Sequence, residues 1–206
     1  MAIGGFGGEL KRLGGHPVLD FVNTVDPREG DQRIEYLNSF EDLVQWAVRG
    51  HVIDPYSSRL ASTEATQSRV ASAAALTRAI NLREALYTIF EEIAAGRRLP
   101  AAAVAELESV WRDAMAHAHL AAARPGFRWR LKPGLDIVRW QIARDAVALL
   151  ESDRLNRVKR CPGSRACGWL FLDASKNASR RWCSMKDCGN CAKVRRYAAR
   201  HRHGHS

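Results

Sequence analysis

All five cysteines of the 206-residue chain lie between Cys161 and Cys191. They include two close pairs: five residues separate Cys161 from Cys167, four separate Cys183 from Cys188, and fifteen lie between the pairs. Thiolate sulfur is a preferred ligand of Zn²⁺, and two short chelating turns joined by a longer connection can surround a tetrahedral ion. The spacing therefore predicts one structural zinc ion held by these four side chains.

Buried free thiols or a pair of disulfides are the alternatives to a zinc site. An odd number of cysteines argues against a disulfide framework, and core packing alone does not explain why every cysteine falls in one segment. A catalytic zinc usually keeps three protein ligands and an open position, often with His or Glu among the ligands, so a structural ion is favoured. Cys191 is predicted to be a spare thiol one helical turn beyond Cys188.

Positive charge is concentrated around these cysteines. Residues 157–206 carry 13 Lys and Arg against Asp173 and Asp187, a net charge of +11, whereas residues 1–156 carry 19 Lys and Arg against 20 Asp and Glu, a net charge of −1. A local field of this kind is what a phosphate backbone attracts, although a basic face can also serve only for solubility. The charge favours nucleic acid as a partner of the cysteine segment.

The elements that must present this charge are a short strand and a helix. Gly168 to Asp173 alternates in a way that predicts one strand of a small hairpin, and a basic helix should follow Cys188, with Val194 and Tyr197 packed inward. Arg180 and Arg181 could clamp phosphates, or could instead stack on Trp182 or on the rest of the protein. The candidate nucleic-acid-binding residues are Arg180, Arg181, Lys186, Lys193, Arg195, Arg196 and Arg200.

The motifs of this segment resemble a known family. The run C-G-W-L-F-L-D-A-S-K-N-A-S-R-R-W-C-S-M-K-D-C-G-N, followed by Cys191 and a basic helix, resembles the CGNR-type zinc finger. Cys191 stands where that motif has Arg, so the role of the Arg is not carried over. The segment L-D-F-V-N-T, which follows His16-Pro17, resembles the opening of the ABATE domain that precedes this finger in a bacterial family. The resemblance implies a stress-induced regulator of transcription.

The rest of the chain predicts a mainly α-helical protein. Apolar residues recur at helical spacing in segments of about 39–49, 66–95, 100–122 and 135–151, and residues 127–131 alternate like a strand. The predicted organisation is a helical ABATE-like domain over residues 1–156, for ligand sensing or dimerisation, and a treble-clef-like zinc finger, a short β-hairpin plus a basic helix, over residues 157–206.

Three polar side chains stand out in the helical domain. Arg83 lies on the apolar stripe of the long helix, and Asp20 and Asn23 lie on one face of the first helix. A buried guanidinium needs an acceptor, so Asp20 and Asn23 are candidate partners in a structural ion pair. The same three residues could instead line a pocket for a small-molecule effector.

The leading hypothesis is a zinc-dependent DNA-binding regulator of transcription. An RNA-binding finger, or a metabolite-binding protein whose finger is purely structural, are the alternatives. No nucleophile and base set, phosphate loop or dinucleotide fingerprint is present, so we do not expect an enzyme. Since no apolar run approaches the ~18 residues of a membrane span and no secretory signal is evident, a reduced, cytoplasmic setting without membrane contact is expected. A homodimer is the default expectation for a bacterial regulator.

Overall fold

The computed structural model describes residues 10–30, 33–163 and 167–202, and for residues 200–202 it describes only the backbone. In these ranges the chain is mainly helical, as predicted. The α-helices are α1 (Pro17–Val22), α2 (Phe40–Arg49), α3 (Pro55–Gln67), α4 (Arg69–Ala94), α5 (Ala101–Ala116), α6 (Ile137–Leu150) and α7 (Asn190–Arg202). The strands are β1 (Val25–Asp26), β2 (Ile34–Glu35), β3 (Ala118–Ala122), β4 (Phe127–Leu131), β5 (Val158–Arg160) and β6 (Leu170–Leu172).

Helix α4 is the centre of the helical domain. It contacts helices α1, α2, α3, α5 and α6, and its buried face carries Leu82, Leu86 and Phe90 at helical spacing. Ser68 separates it from α3, because the Ser68 side chain accepts a hydrogen bond from the backbone N–H of Ala71 and caps the new helix. None of the helices described is both long and apolar enough to cross a membrane.

The helix predicted over residues 100–122 is too long. Helix α5 ends at Ala116, and residues Ala118–Ala122 form strand β3, which pairs antiparallel with β4 so that His119 lies opposite Arg130. The strand predicted at residues 127–131 is therefore confirmed, but its partner was placed in a helix. Alanine favours helix when no other contact decides, and here pairing with β4 decides.

The cysteine segment folds as the predicted small finger. Strand β5 pairs antiparallel with β6, and Cys161 and Cys167 lie in the connection between the two strands. A π-helical turn, Met185–Gly189, then leads directly into α7. A knuckle between two strands, followed by a turn and a helix that begins at the last ligand, is the treble-clef-like arrangement that the sequence predicts.

The finger packs directly on the helical domain. Strand β6 contacts helix α1, and strand β5 contacts helix α4. Leu170 and Leu172 are buried together with Val18, Leu19 and Leu86 in the core of the helical domain, whereas Phe171 lies with the cysteines in a second cluster. Strand β6 thus contributes side chains to both cores.

Candidate metal centre

The four predicted ligands converge on one point. One sulfur each from Cys161, Cys167, Cys183 and Cys188 lies within 4.8 Å of the others, and the first three residues are buried. The distance from Cys183 Sγ is 3.7 Å to Cys167 Sγ and 3.6 Å to Cys188 Sγ. Four sulfurs at ~2.3 Å from a tetrahedral ion would lie ~3.8 Å apart, so these two distances match a tetrahedral metal site. The segment therefore forms a Cys₄ metal site.

The connection between β5 and β6 positions the first pair of ligands. The backbone N–H of Cys161 donates to the carbonyl of Trp169 at 2.8 Å, which closes the loop behind the sulfurs. A Cβ at Gly163 would lie 2.6 Å from the Cβ of Cys167 and 2.9 Å from the sulfur of Cys188. Only glycine lets the backbone pass this close to the metal site.

The π-helical turn positions the second pair of ligands. The Ser184 side chain accepts a hydrogen bond from the backbone N–H of Asp187 at 3.2 Å, and the Ser184 carbonyl accepts one from Gly189 at 3.0 Å. These bonds hold Cys188 beside Cys183 at the start of α7. Cys191, one turn further on, does not belong to the Cys₄ cluster, so the metal fixes the beginning of α7 through Cys188.

The thiols of the cluster share negative charge. The Cys167 and Cys183 thiols donate hydrogen bonds to the Cys161 sulfur and lower the pKa of Cys161 to about 2, and the same bonds raise the pKa values of Cys167 and Cys183. The backbone N–H of Cys183 also donates to the Cys161 sulfur at 3.3 Å. Without a metal, the cluster therefore stabilises one thiolate, at Cys161, and binding of a metal would have to displace the protons of the other three ligands.

Asn23 joins the helical domain to the finger. Its side-chain amide donates to the carbonyl of Leu170 at 2.8 Å and its side-chain oxygen accepts from the N–H of Leu170 at 3.0 Å, both within buried surroundings. Strand β5 occupies the other edge of β6, so Asn23 takes the place that a neighbouring strand would have.

Asp20 supports the same edge of β6 indirectly. The Asp20 carboxylate accepts from the backbone N–H of Gly14 at 2.8 Å, and the Gly14 carbonyl in turn accepts from the N–H of Leu172 at 2.7 Å. Burial raises the pKa of Asp20, although the hydrogen bond from Gly14 opposes this effect. Asp20 and Asn23 therefore hold β6, and neither is a partner of Arg83.

Arg83 finds its partners elsewhere, so its predicted pairing with Asp20 or Asn23 is wrong. Its guanidinium, 3% exposed, forms a bidentate ion pair with Glu35 at 2.7 Å and donates to Glu84 at 2.8 Å and to the Thr24 hydroxyl at 3.1 Å. Glu35 was out of reach of sequence reasoning, because it lies in a charged segment that predicts only a loop. The geometry supports the structural interpretation of Arg83 over the pocket.

Three further contacts from the helical domain reach the loop around the metal site. The indole N–H of Trp169 donates to the carbonyl of Val25 at 2.9 Å, and the backbone N–H of Arg28 donates to the carbonyl of Cys167 at 2.9 Å. The Tyr87 hydroxyl donates to the carbonyl of Gly168 at 3.0 Å. Because all three bonds engage the ligand Cys167 or the two residues that follow it, the helical domain fixes the loop that carries Cys167.

Asp173 organises the segment between β6 and Cys183. The carboxylate is buried and accepts hydrogen bonds from Lys159 at 2.6 Å, from the Ser175 hydroxyl at 2.6 Å and from the backbone N–H of Arg180 at 3.0 Å. Burial alone would raise the pKa of Asp173, but the bonds from Lys159 and Ser175 outweigh it and lower this pKa. One of the two acids of the finger is thus an internal anchor.

Arg180 has an internal role, which contradicts its assignment to nucleic-acid binding. Its guanidinium donates to the carbonyls of Leu13 and Trp182 at 3.0 Å each and to the carbonyl of Cys183, and it lies 4.4 Å from the centre of the Phe171 ring. Because its N–H groups already donate to backbone carbonyls, Arg180 has no pair of N–H donors left for a bidentate contact with a phosphate. The neighbouring Arg181 is exposed and stacks 5.9 Å from the Trp182 ring.

The remaining predicted cations point outward. Lys186, Lys193, Arg195 and Arg196 are all exposed on the π-helical turn and on α7. The side chain of Arg200 lies outside the described residues. We call the five exposed cations Arg181, Lys186, Lys193, Arg195 and Arg196 the α7 basic surface.

The apolar residues of α7 are exposed, although the sequence predicted that they pack inward. Val194 and Tyr197 are each 67% exposed, and the helix packs mainly against the π-helical turn from which it starts. Helix α7 therefore extends away from the rest of the fold and presents apolar and basic side chains together.

Comparison with known families decides the relationship of this chain. A family model described as "ABATE: Putative stress-induced transcription regulator" matches residues 15–153, which is more than half of the chain. The chain belongs to the ABATE family. A second model, the CGNR zinc finger, matches residues 157–201. No curated protein matches the chain. The ABATE region ends just before β5, so the two hydrogen bonds between Asn23 and Leu170 of β6 connect the ABATE domain to the CGNR finger.

Proposed function

We propose that this protein is a zinc-dependent DNA-binding regulator of transcription whose α7 basic surface contacts the duplex. The observation that carries the proposal is the direct continuation of the metal site into α7, because Cys188 lies in the turn that begins the helix. The ion thereby sets the direction in which Lys193, Arg195 and Arg196 project. Arg donates bidentately to phosphate oxygens, and exposed cations supply most of the affinity for a duplex.

Zinc is the ion that the donor set favours. Four cysteine sulfurs at tetrahedral separations are typical of structural zinc. An iron–sulfur cluster also uses four cysteines, but its several iron atoms would hold the sulfurs further apart than they lie here. The site is closed by its four protein ligands, so the ion supplies folding free energy and no open coordination position. We expect one Zn²⁺ per chain.

Helix α7 has dimensions that suit a groove of DNA. Thirteen residues give a length of ~20 Å at ~1.5 Å per residue, and the major groove is ~12 Å wide. The exposed Val194 and Tyr197 lie among the cations, where they can contact base edges such as the thymine methyl group. The cations would position the helix, and these apolar side chains would meet the bases.

Fluorescence anisotropy with a labelled duplex over a range of salt concentrations tests the proposal. Replacing Lys193, Arg195 and Arg196 by Ala should weaken binding and reduce the steepness of log affinity against log salt by ~0.9 for each phosphate that the variant no longer neutralises. Three exposed arginines of the ABATE domain, Arg59, Arg69 and Arg98, provide a matched triple-Ala control of equal charge change. Equal reductions of affinity in the two triple variants would contradict the role of α7.

A parallel titration with structured RNA at the same salt concentration separates the two classes of nucleic acid. The proposal predicts tighter binding to the duplex DNA, with the α7 substitutions affecting it more than the control substitutions. If the protein prefers RNA, it is an RNA-binding protein and not a DNA-binding regulator. If it binds neither nucleic acid, the finger is only a structural module of the ABATE fold.

A further inference from the structure

A cavity of about 290 Å³ lies on the ABATE domain, apart from Asp20, Asn23 and Arg83. Three elements form its walls: the connection between α2 and α3, the strand β4 with its partner β3, and one face of helix α6. Its volume is at the lower end of the range for small-molecule sites. The metal ligands contribute nothing to it.

Three arginines and a histidine line two walls of this cavity. In the β3–β4 pair, Arg128 and Arg130 lie on one face of β4 by strand alternation, and His119 lies opposite Arg130. Arg144 on helix α6 lines the cavity from another wall. Among the described residues, these three guanidinium groups form no hydrogen bond and no ion pair within 4 Å, although Arg130 interacts at longer range with Asp54 and Arg144 with Asp145. Three like charges around one cavity repel each other unless an anion lies between them.

Among the described residues, the only acid that lines the cavity is already engaged. The Asp54 carboxylate caps helix α3: it accepts from the backbone N–H of Ser57 at 2.8 Å and from the Ser57 hydroxyl at 3.2 Å. Asp54 keeps the negative charge, since hydrogen bonds from Ser57 lower its pKa. Asp54 and the Asp145 carboxylate beside Arg144 are two negative charges against three guanidinium groups, so the cavity keeps a positive charge.

The floor of the cavity is apolar. Val52, Ile53, Leu131 and Ile137 are buried residues of the core that also line this space. Tyr56, which is 60% exposed, adds an aromatic ring at the rim. A cavity with an apolar floor and forked donors at its edge matches a ligand that has an apolar body and one anionic end.

We propose that this cavity binds a small organic anion, with a planar apolar body on the floor and a carboxylate or phosphate group held by Arg130 and Arg144. The concave, partly apolar shape disfavours the backbone of a duplex, which presents a convex row of phosphates. The site provides the ABATE domain with a place for an effector, and its ligand binding does not depend on the DNA-binding proposal because it can be measured without DNA.

Isothermal titration of the intact, metal-loaded protein tests this site. The probe 1-naphthoate should bind saturably at one site per chain. Its affinity should be about tenfold or more higher than that of acetate, which lacks the apolar body, and than that of 1-naphthamide, which lacks the charge. Arg130→Gln and Arg144→Gln should each weaken 1-naphthoate binding by about tenfold. Arg98→Gln, at an exposed arginine that does not line the cavity, should leave the affinity unchanged.

Adenosine monophosphate and inorganic phosphate identify the anionic group. If adenosine monophosphate binds more tightly than 1-naphthoate, and Arg144→Gln abolishes this binding, the site is assigned to phosphate esters. If 1-naphthoate binds more tightly, the site is assigned to carboxylates. If acetate or inorganic phosphate binds as tightly as the larger probes, or if the Gln variants bind all probes like the unmodified protein, the proposal is wrong. It is also wrong if no probe binds; in that case a loss of duplex affinity in Arg130→Gln as large as that of the α7 substitutions would assign the cavity cations to nucleic acid.

Discussion

Replacing Asn23 by Ala should loosen the finger from the ABATE domain. In the folded protein the Asn23 amide satisfies both the N–H and the carbonyl of Leu170, at 3.0 Å and 2.8 Å, and Asn23 is 1% exposed. The Ala variant leaves both backbone groups of a buried strand without partners. Each such group costs ~1–3 kcal/mol, so we expect the free energy of unfolding to fall by about 3–5 kcal/mol.

Thermal unfolding followed by circular dichroism measures this decrease. For a chain of this size, ~1 kcal/mol corresponds to ~2–4 °C, so Asn23→Ala should lower the melting temperature by about 10 °C. Asn156→Ala provides the matched control, because Asn156 is an exposed asparagine. The rate at which the protein releases zinc to a coloured chelator should rise in Asn23→Ala and stay unchanged in Asn156→Ala.

Two outcomes would contradict the role of Asn23. If Asn23→Ala and Asn156→Ala melt together and release zinc at the same rate, β6 does not depend on the ABATE domain for its outer edge. A lower melting temperature without faster zinc release would place the effect in helix α1 alone and would also contradict the role assigned to Asn23.

Three further predictions concern the finger. Arg180→Ala should lower the free energy of unfolding by ~3 kcal/mol and weaken metal binding, because Arg180 donates to several backbone carbonyls. Arg181→Ala should leave the stability unchanged and lower only the affinity for the duplex. Thermal melts and fluorescence anisotropy measure the two effects, and similar behaviour of the two variants would refute this prediction. Asp173→Asn should be less stable than the unmodified protein at neutral pH. Because the pKa of Asp173 is lowered in the folded state, the difference in stability should persist above pH ~4 and shrink as the pH falls through the folded-state pKa. A difference that stays constant in thermal melts at acid pH would contradict this prediction. Cys188→Ser should abolish tight zinc binding while Cys191→Ser preserves it, as measured by metal content after dialysis, and the opposite outcome would exclude the ligand set.

The metal site could be predicted from the sequence because its residues are local. Two cysteine pairs within one short segment have few ways to meet, and a shared ion requires that they do. Spacing alone would not exclude Cys191, because residues three apart on a helix lie on the same face; its exclusion rests on the resemblance, since the CGNR motif has Arg at this position. In motifs of this kind, the sequence spacing of the ligands largely determines the geometry of the site.

The partners of Arg83 and Arg180 could not be predicted in the same way. Glu35 reaches Arg83 through a short strand in a segment that carries no periodic signal, and Leu13 reaches Arg180 from the opposite end of the chain. A basic residue near a cysteine cluster suggests phosphate contact by composition alone, but burial decides whether its donors are already used. Strand β3 was missed for a related reason, since only pairing with β4 distinguishes its alanines from the end of α5.

Metal content measured by mass spectrometry, together with duplex binding in the metal-loaded and metal-free states over a range of salt concentrations, tests the central claim most directly. We expect one zinc ion per chain, duplex binding that falls steeply with salt, and loss of that binding when zinc is removed, with recovery when zinc is restored. Duplex affinity and salt dependence that stay the same without zinc would show that the metal does not order the surface that binds DNA, and would contradict the account.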